Sequence, residues 1–172
     1  MTRTITSLEV LAAGALLAFT GSVPAQGDTA AKTFVTDSIR GNIGEVKMGQ
    51  LAQLRGNSNA VHKYGETLVS DHTIGLQKAK ALAKTLGVAP PTRTSREAIK
   101  EYDAMSQLSG EAFDRAFISH MMMGHQKEIA RYTEASHDGE NPEVADLAKD
   151  MLPTLQQHLA TAQSIAKDLK AY

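Results

Sequence analysis

The stretch that decides the fold is DRAFISHMMMGHQKEIARYTEA, residues 114–135, which places two histidines and three consecutive methionines in one helical segment. On a helical wheel of about 100° per residue, His125 lies in an apolar stripe that the core should bury. The other members of this stripe are Ile118, Met121, Met122, Ile129 and Tyr132. His120 lies about 140° from His125, so the two histidines cannot bind one ion from a regular helix, and we expect His120 to be solvated.

Two further segments place a histidine in the same way. His72 lies at the middle of the apolar stripe of segment 60–86, and His158 does so in a segment from residue 142 to about residue 169. A fourth helical segment, 33–54, carries a strip of small residues whose only ionisable member is Glu45. Small residues let a neighbouring helix approach closely, so this strip predicts a helix–helix contact.

Turn signals separate these segments into two pairs. Gly87 ends the second helix, Asn141-Pro142 begins the last, and residues 95–107 predict a short helix between the pairs. A faint repeat relates the stretches that lead into His72 and His125, each with an aliphatic residue four positions later. The pattern predicts an all-α fold, an antiparallel four-helix bundle with a short extra helix between the two hairpins.

The composition is that of one ordinary globular domain. Of 172 residues, 42% are hydrophobic and 22% charged, which is enough for a real core. The net charge of −1 comes from interleaved charges of both signs, so nothing marks a nucleic acid as a partner. The oligomeric state is left open.

The first 25 residues read as a secretory signal peptide. Arg3 precedes an apolar run at 8–19, and Val23 and Ala25 have the spacing that signal peptidase requires. We expect cleavage after Ala25, a single mature domain at 26–172, and a periplasmic or secreted protein. The alternative is an uncleaved signal that anchors the chain to the membrane. The chain has no cysteine, so the fold must be stable without disulfides.

Five stretches resemble a bacterial secreted family known as domain of unknown function 4142. They are Gly44–Ala52 (GEVKMGQLA), Leu68–His72 (LVSDH), Phe117-Ile118 with Met121-Met122, Gly124–Lys127 (GHQK) and Leu152–Leu159 (LPTLQQHL). The likeness covers nearly all of the mature chain and implies a ferritin-like bundle in the cell envelope, without an assigned function. One departure is visible, because Gly124-His125 stands where the family pattern often has an Asp-His pair.

The chemistry depends on whether four polar side chains meet inside the bundle. Glu45, His72, His125 and His158, one from each long helix, would suit a zinc, copper or iron ion, and bundle cores are common places for such sites. An ion would also offset the free-energy cost of burying these groups. Asp71 lies about 100° off the stripe of His72 and is the candidate acceptor behind a ligand, and Glu128 is a reserve ligand.

Three other interpretations remain open. The histidines could bond to protein acceptors alone, in a metal-free interaction or stress-tolerance module. Thioethers such as Met121 and Met151 could bind Cu(I), although methionine more often fills a core. A carboxylate-bridged metal pair would need two Glu-x-x-His pairs, and the only such spacing, Glu134 to His137, is at a helix end. No motif for a nucleophile is present, so the expected function is metal binding without established catalysis.

Overall fold

The computed structural model describes residues 26–169, which form five helices. They are α1 (Gln26–Arg55), α2 (Asn59–Thr85), α3 (Arg96–Ser106), α4 (Gly110–Ala135) and α5 (Pro142–Asp168). The predicted all-helical bundle with an extra helix is confirmed. The proposed signal peptide, residues 1–25, lies outside the described residues. No helix between residues 26 and 169 is both long and apolar enough to cross a membrane.

Each long helix runs antiparallel to its neighbours. α1 packs on α2, α2 on α5 and α5 on α4, and contacts between α4 and α1 close the bundle. Gly41 faces Glu128 whereas Gly124 faces Glu45, which shows that α1 and α4 run in opposite directions. The short helix α3 packs against both α1 and α4 on this side of the bundle.

The α1–α2 contact is close because it is built from glycines. A Cβ added to Gly49 would lie 2.7 Å from the carbonyl oxygen of Gly65, and one added to Gly65 would lie 2.6 Å from that of Gly49. Both distances are too short for real atoms, so the two backbones meet where neither residue has a side chain. The predicted packing role of the small-residue strip on α1 is confirmed at Gly49.

Helix boundaries follow the local signals, with one exception. Ser58 caps α2 by accepting a hydrogen bond from the Val61 N–H at 3.3 Å, and Gly87 follows α2 with a positive φ of 66°. Within the described residues α1 is helical from Gln26 onwards, at least seven residues before the predicted start at Thr33. Ala31, which is fully buried in the apolar core, lies in the added turns. Packing therefore extends the helix beyond its own apolar pattern.

The core consists of two apolar clusters. The first contains Met48, Leu51, Tyr64, Leu68, Phe113, Phe117, Ile118, Met121 and Ile165. The second contains Val35, Ile39, Leu82, Tyr132, Val144, Leu147, Met151 and Leu155. On all four long helices a buried polar residue lies between the stretches that supply the two clusters, and these residues are Asn42, His72, His125 and His158. A polar layer thus crosses the middle of the bundle.

Candidate metal centre

Three histidines meet in this polar layer. His72, His125 and His158 are each 2% exposed or less, and one ring nitrogen from each lies within 4.8 Å of those of the other two. The ring centroids are 5.2 Å apart for two of the pairs and 5.8 Å for His72 and His125. We call these three residues the nitrogen centre. It can hold a metal ion.

One nitrogen of each ring donates a hydrogen bond away from the centre. His72 Nδ1 donates to Asn42 Oδ1 at 3.0 Å, His125 Nδ1 to the Met121 carbonyl at 2.9 Å, and His158 Nε2 to Asp71 Oδ2 at 2.9 Å. The Asn42 amide is itself oriented, because its Nδ2 donates to the Ser38 carbonyl at 2.8 Å. These acceptors determine which nitrogen of each neutral ring carries the proton.

The other nitrogen of each ring therefore presents a lone pair. His125 Nε2 and His158 Nδ1 lie 3.3 Å apart without a proton to share, since both protons are on the outer nitrogens. Two buried side-chain nitrogen or oxygen atoms in residues 26–169 have no hydrogen-bond partner, and His72 Nε2 is one of them. Three unprotonated nitrogens in one buried layer form a donor set for a cation.

The pKa values keep the rings neutral. Burial, followed by the charge of His158, lowers the pKa of His125 from 6.5 to about 4. Burial and the neighbouring rings hold the pKa of His72 well below its ordinary value. Burial also lowers the pKa of His158, while the hydrogen bond to Asp71 works in the opposite direction. All three residues are thus in the protonation state that binds metal at neutral pH.

Glu45, the fourth predicted ligand, is not part of this group. Its carboxyl group lines a cleft between α1, α3 and α4, and Glu45 Oε1 lies 4.0 Å from a Cβ built at Gly124. Asn42, three residues earlier on α1, occupies the position in the polar layer instead. Three residues turn a helix by about 300°, so the two side chains point about 60° apart.

The two accessory residues are also separated. Asp71 accepts the hydrogen bond of His158, as expected of an acceptor behind a ligand, and its side chain is one-third exposed. Glu128 lines the same cleft as Glu45, where its Oε1 lies 3.8 Å from the Arg131 guanidinium. His120, expected to be solvated, also lines this cleft and is only 24% exposed.

Sequence reasoning missed Asn42 and Tyr64. Asn42 follows Val35 and Ile39 at helical spacing, so a polar residue on the buried face of α1 was the available signal. Tyr64 packs its ring on His158 and donates its hydroxyl proton to the His158 carbonyl at 3.1 Å. No local pattern indicates that contact, because the two residues are 94 positions apart.

Fold and site together define a helical-bundle domain with a buried three-histidine centre. The family model described as Domain of unknown function (DUF4142) matches residues 19–165, so the chain belongs to that family. A crystal structure of a DUF305 fragment from Deinococcus radiodurans is similar in fold, with a TM-score of 0.71 over 84% of this chain and 97% of that chain at 17% identity. No curated protein matches the chain.

Proposed function

We propose that the protein binds one transition-metal ion through His72, His125 and His158. The observation that carries this proposal is the convergence of three lone pairs in a buried layer, each of which is directed inward by a hydrogen bond on the opposite side of its ring. A buried polar atom without a partner costs about 1–3 kcal/mol. An ion would give all three nitrogens a partner at once.

A buried water molecule would satisfy the three nitrogens less completely than a metal ion. Water has two protons to donate, so it can satisfy at most two of the three nitrogens. A proton has the same difficulty, because charging any of these rings opposes the low pKa of His125 and His72. A metal ion accepts three lone pairs without adding a proton.

The donor set favours zinc, copper or iron. Imidazole nitrogen suits all three ions, and Zn–N bonds of about 2.0–2.1 Å make a tetrahedron with N···N edges of about 3.3–3.4 Å. The 3.3 Å between His125 Nε2 and His158 Nδ1 matches such an edge. Because the three rings are almost completely buried, an ion held there would be enclosed, which favours binding over catalysis.

The surrounding acceptors would strengthen the site. A carboxylate that accepts the outer N–H of a ligating histidine fixes its ring and raises its basicity. Asp71 has this relation to His158, Asn42 to His72, and the Met121 carbonyl to His125. The Asp71 side chain is one-third exposed, so it lies between the buried His158 and solvent.

We also propose that the site works outside the cytoplasm. The support is the sequence of residues 1–25, with its basic start, apolar run and small residues before position 26. In the cell envelope an enclosed three-histidine centre would sequester or carry a metal ion, and its stability would depend on that ion.

The test is metal-dependent stability of the untagged protein. After chelation, addition of Zn²⁺ should raise the free energy of unfolding by about 2.7 kcal/mol when free Zn²⁺ is about 100 times Kd. His158→Ala should abolish this gain, and Co²⁺ bound to the wild-type protein should give the strong visible absorption of a tetrahedral site. His62→Ala, on α2 but outside the centre, is the matched control and should behave like the wild type.

Two results would overturn the proposal. One is a thermal unfolding curve that Zn²⁺, Cu²⁺, Co²⁺ and Fe²⁺ all leave unchanged. The other is a gain that persists in His158→Ala. Either would leave the histidines as packing residues of a metal-free module.

A further inference from the structure

A second group of ionisable side chains lies in the cleft between α1, α3 and α4. The cleft has a volume of about 510 Å³, and its walls include Glu45 from α1, Glu101 from α3, and His120 and Glu128 from α4. We call it the acidic cleft. The proposed function does not use these four residues.

Glu45 is the unusual member of this cleft. Its Oε2 atom is buried and has no hydrogen-bond partner in residues 26–169. It is the second such side-chain atom, besides His72 Nε2. Burial, together with the charges of Glu128 and Glu101, raises the pKa of Glu45 from 4.5 to about 8. The carboxyl group is therefore short of a compensating partner, and a proton alone would add an O–H donor that also needs an acceptor.

Two cationic side chains that line the cleft pair with acidic residues of the cleft other than Glu45, so a metal ion bound through Glu128 would replace Arg131 as its partner. The Arg131 guanidinium lies 5.2 Å from the ring centroids of both Phe34 and Tyr132, and it is 3.8 Å from Glu128. Arg40 pairs with Asp37 at 3.7 Å. Lys127 also lines the cleft, but no donor within residues 26–169 reaches Glu45 Oε2.

The remaining groups lie nearer to solvent. His120 Nε2 is 3.9 Å from Glu101 Oε2, and this pair joins α4 to α3. Glu128 and His120 are 20% and 24% exposed, whereas Glu101 is 53% exposed. The cleft thus has a buried carboxyl group, a second carboxylate beside it, and a carboxylate–imidazole pair near the opening.

We propose that the acidic cleft is a second metal site, which takes a hard divalent cation of the Mn²⁺ class through Glu45 and Glu128, with Glu101 and His120 as additional ligands. Carboxylate oxygens select Mg²⁺, Ca²⁺ or Mn²⁺, and an imidazole in the set favours Mn²⁺ over the other two. The four groups are less tightly gathered than the three histidines, so binding requires rotation of the exposed Glu101 and of His120. The open volume of the cleft permits this movement.

The two sites would select different ions. The nitrogen centre offers three imidazoles, whereas the four proposed ligands in the acidic cleft are three carboxylates and one imidazole. Softer ions such as Zn²⁺ and Cu²⁺ should prefer the first and Mn²⁺ the second. The chain would then bind one ion of each kind.

The test is a Mn²⁺ titration followed by the electron paramagnetic resonance signal of free Mn²⁺. Untagged protein is first loaded with one equivalent of Zn²⁺ to fill the nitrogen centre. Wild-type protein should then bind one Mn²⁺ per chain. Glu45→Gln, which keeps the shape of the side chain, should weaken Mn²⁺ binding at least tenfold, and Glu101→Gln should weaken it less. Glu66→Gln, on the exposed face of α2, is the matched control and should bind as the wild type does.

His158→Ala distinguishes the two sites. This variant should lose the zinc-dependent stabilisation and keep its Mn²⁺ affinity, because His158 lies on α5, outside the acidic cleft. No Mn²⁺ uptake by the wild-type protein up to about 1 mM, the range of very weak binding, would overturn the second site. Equal Mn²⁺ affinity in wild type, Glu45→Gln and Glu101→Gln would overturn it as well. If Glu45→Gln fails to fold, the surface variant Glu101→Gln still decides the question.

Discussion

The nitrogen centre with its acceptors and the acidic cleft both use α1 and α4, at positions three residues apart. On α1, Asn42 accepts the hydrogen bond of His72 and Glu45 lines the cleft; on α4, His125 belongs to the centre and Glu128 to the cleft. In the centre every outer nitrogen has an acceptor at 2.9 or 3.0 Å, but in the cleft Glu45 Oε2 has no partner among the described residues. A rotation of about 60° thus separates a preorganised donor set from a carboxyl group that still lacks a partner.

The difference shows what makes a buried polar group a good ligand. The histidines are neutral, and the acceptors behind them hold their lone pairs in place. No hydrogen bond from residues 26–169 orients Glu45 Oε2, and burial is the main reason why the pKa of Glu45 is raised to about 8. The first region should bind an ion without rearranging, whereas the second needs side-chain rotation. Four predictions test this contrast.

The largest expected effect is the pH dependence of the free energy of unfolding that the nitrogen centre causes. Without metal, the protein should lose stability as the pH falls from 6.5 towards 4, because the unfolded chain binds protons at His125 that the folded chain excludes. At about 1.36 kcal/mol per pKa unit, His125 alone accounts for a loss of about 3 kcal/mol in the free energy of unfolding. His72 and His158 act in the same direction. Urea denaturation with a chelator present measures the loss.

Two variants make this measurement specific. His125→Leu removes the titrating group and should flatten the slope between pH 6.5 and 5. His137→Ala changes an exposed histidine at the end of α4 and should leave the slope unchanged. The explanation is wrong if His125→Leu and the wild type have the same slope.

The second prediction concerns the acceptors behind the ligands. Asn42→Ala and Asp71→Ala should each weaken Zn²⁺ binding by about 10–100-fold, because the ligating ring loses the partner that orients it. Competition with a chromophoric chelator gives the affinities. Asp146→Ala, on the exposed face of α5, is the control. Unchanged affinity in Asp71→Ala would show that His158 does not need its carboxylate.

The third prediction reverses the pH dependence. Glu45 has a folded pKa of about 8 against 4.5 for the ordinary carboxyl group, so its own contribution to the stability of the metal-free protein should fall as the pH rises from 4.5 to 8, opposite to that of the histidines. Glu45→Gln should therefore be more stable than the wild type by about 1 kcal/mol at pH 8, a modest gain because the cleft is open to solvent. The two proteins should be nearly equal at pH 4.5. A variant that is less stable at pH 8 would contradict this.

The smallest effect lies between the two regions, at Gly124. A Cβ there would have only Glu45 Oε1 nearby, at 4.0 Å, so Gly124→Ala should fit and stabilise α4 by about 0.5–1 kcal/mol. Zn²⁺ affinity should not change. Gly49→Ala is the matched contrast, because its Cβ would lie 2.7 Å from the Gly65 carbonyl oxygen and should destabilise the protein. Thermal unfolding of both variants measures the difference, and a loss of stability in Gly124→Ala would contradict the geometry.

Most of the fold could be predicted because its signals are local. The starts and ends of α2, α3 and α5 differ from the predicted positions by one residue each or agree with them, since capping residues and glycines mark them. The start of α1 was predicted at least seven residues too late, because packing of Ala31 in the core stabilises turns that the apolar pattern does not mark. The family was also recognised correctly, while its ferritin-like kinship and the export of the chain stay predictions.

The candidate site could be predicted only in part. His72, His125 and His158 were found because each is polar within an apolar stripe, and a stripe predicts burial. Glu45 was assigned to the same layer although Asn42 occupies that place. An apolar pattern gives a direction around a helix to within about 60°, which is too coarse to choose between residues one turn apart.

The sequence by itself determined four long helices, a short one between them, and a buried histidine on three of them, because helix periodicity and capping depend on neighbouring residues. Only the tertiary structure decided which nitrogens face one another, which acceptors hold them, and that Glu45 belongs with Glu128 and not with the histidines. Those relations depend on the rotation and axial offset of packed helices, to which close contacts such as that between Gly49 and Gly65 contribute. No single helix contains that information.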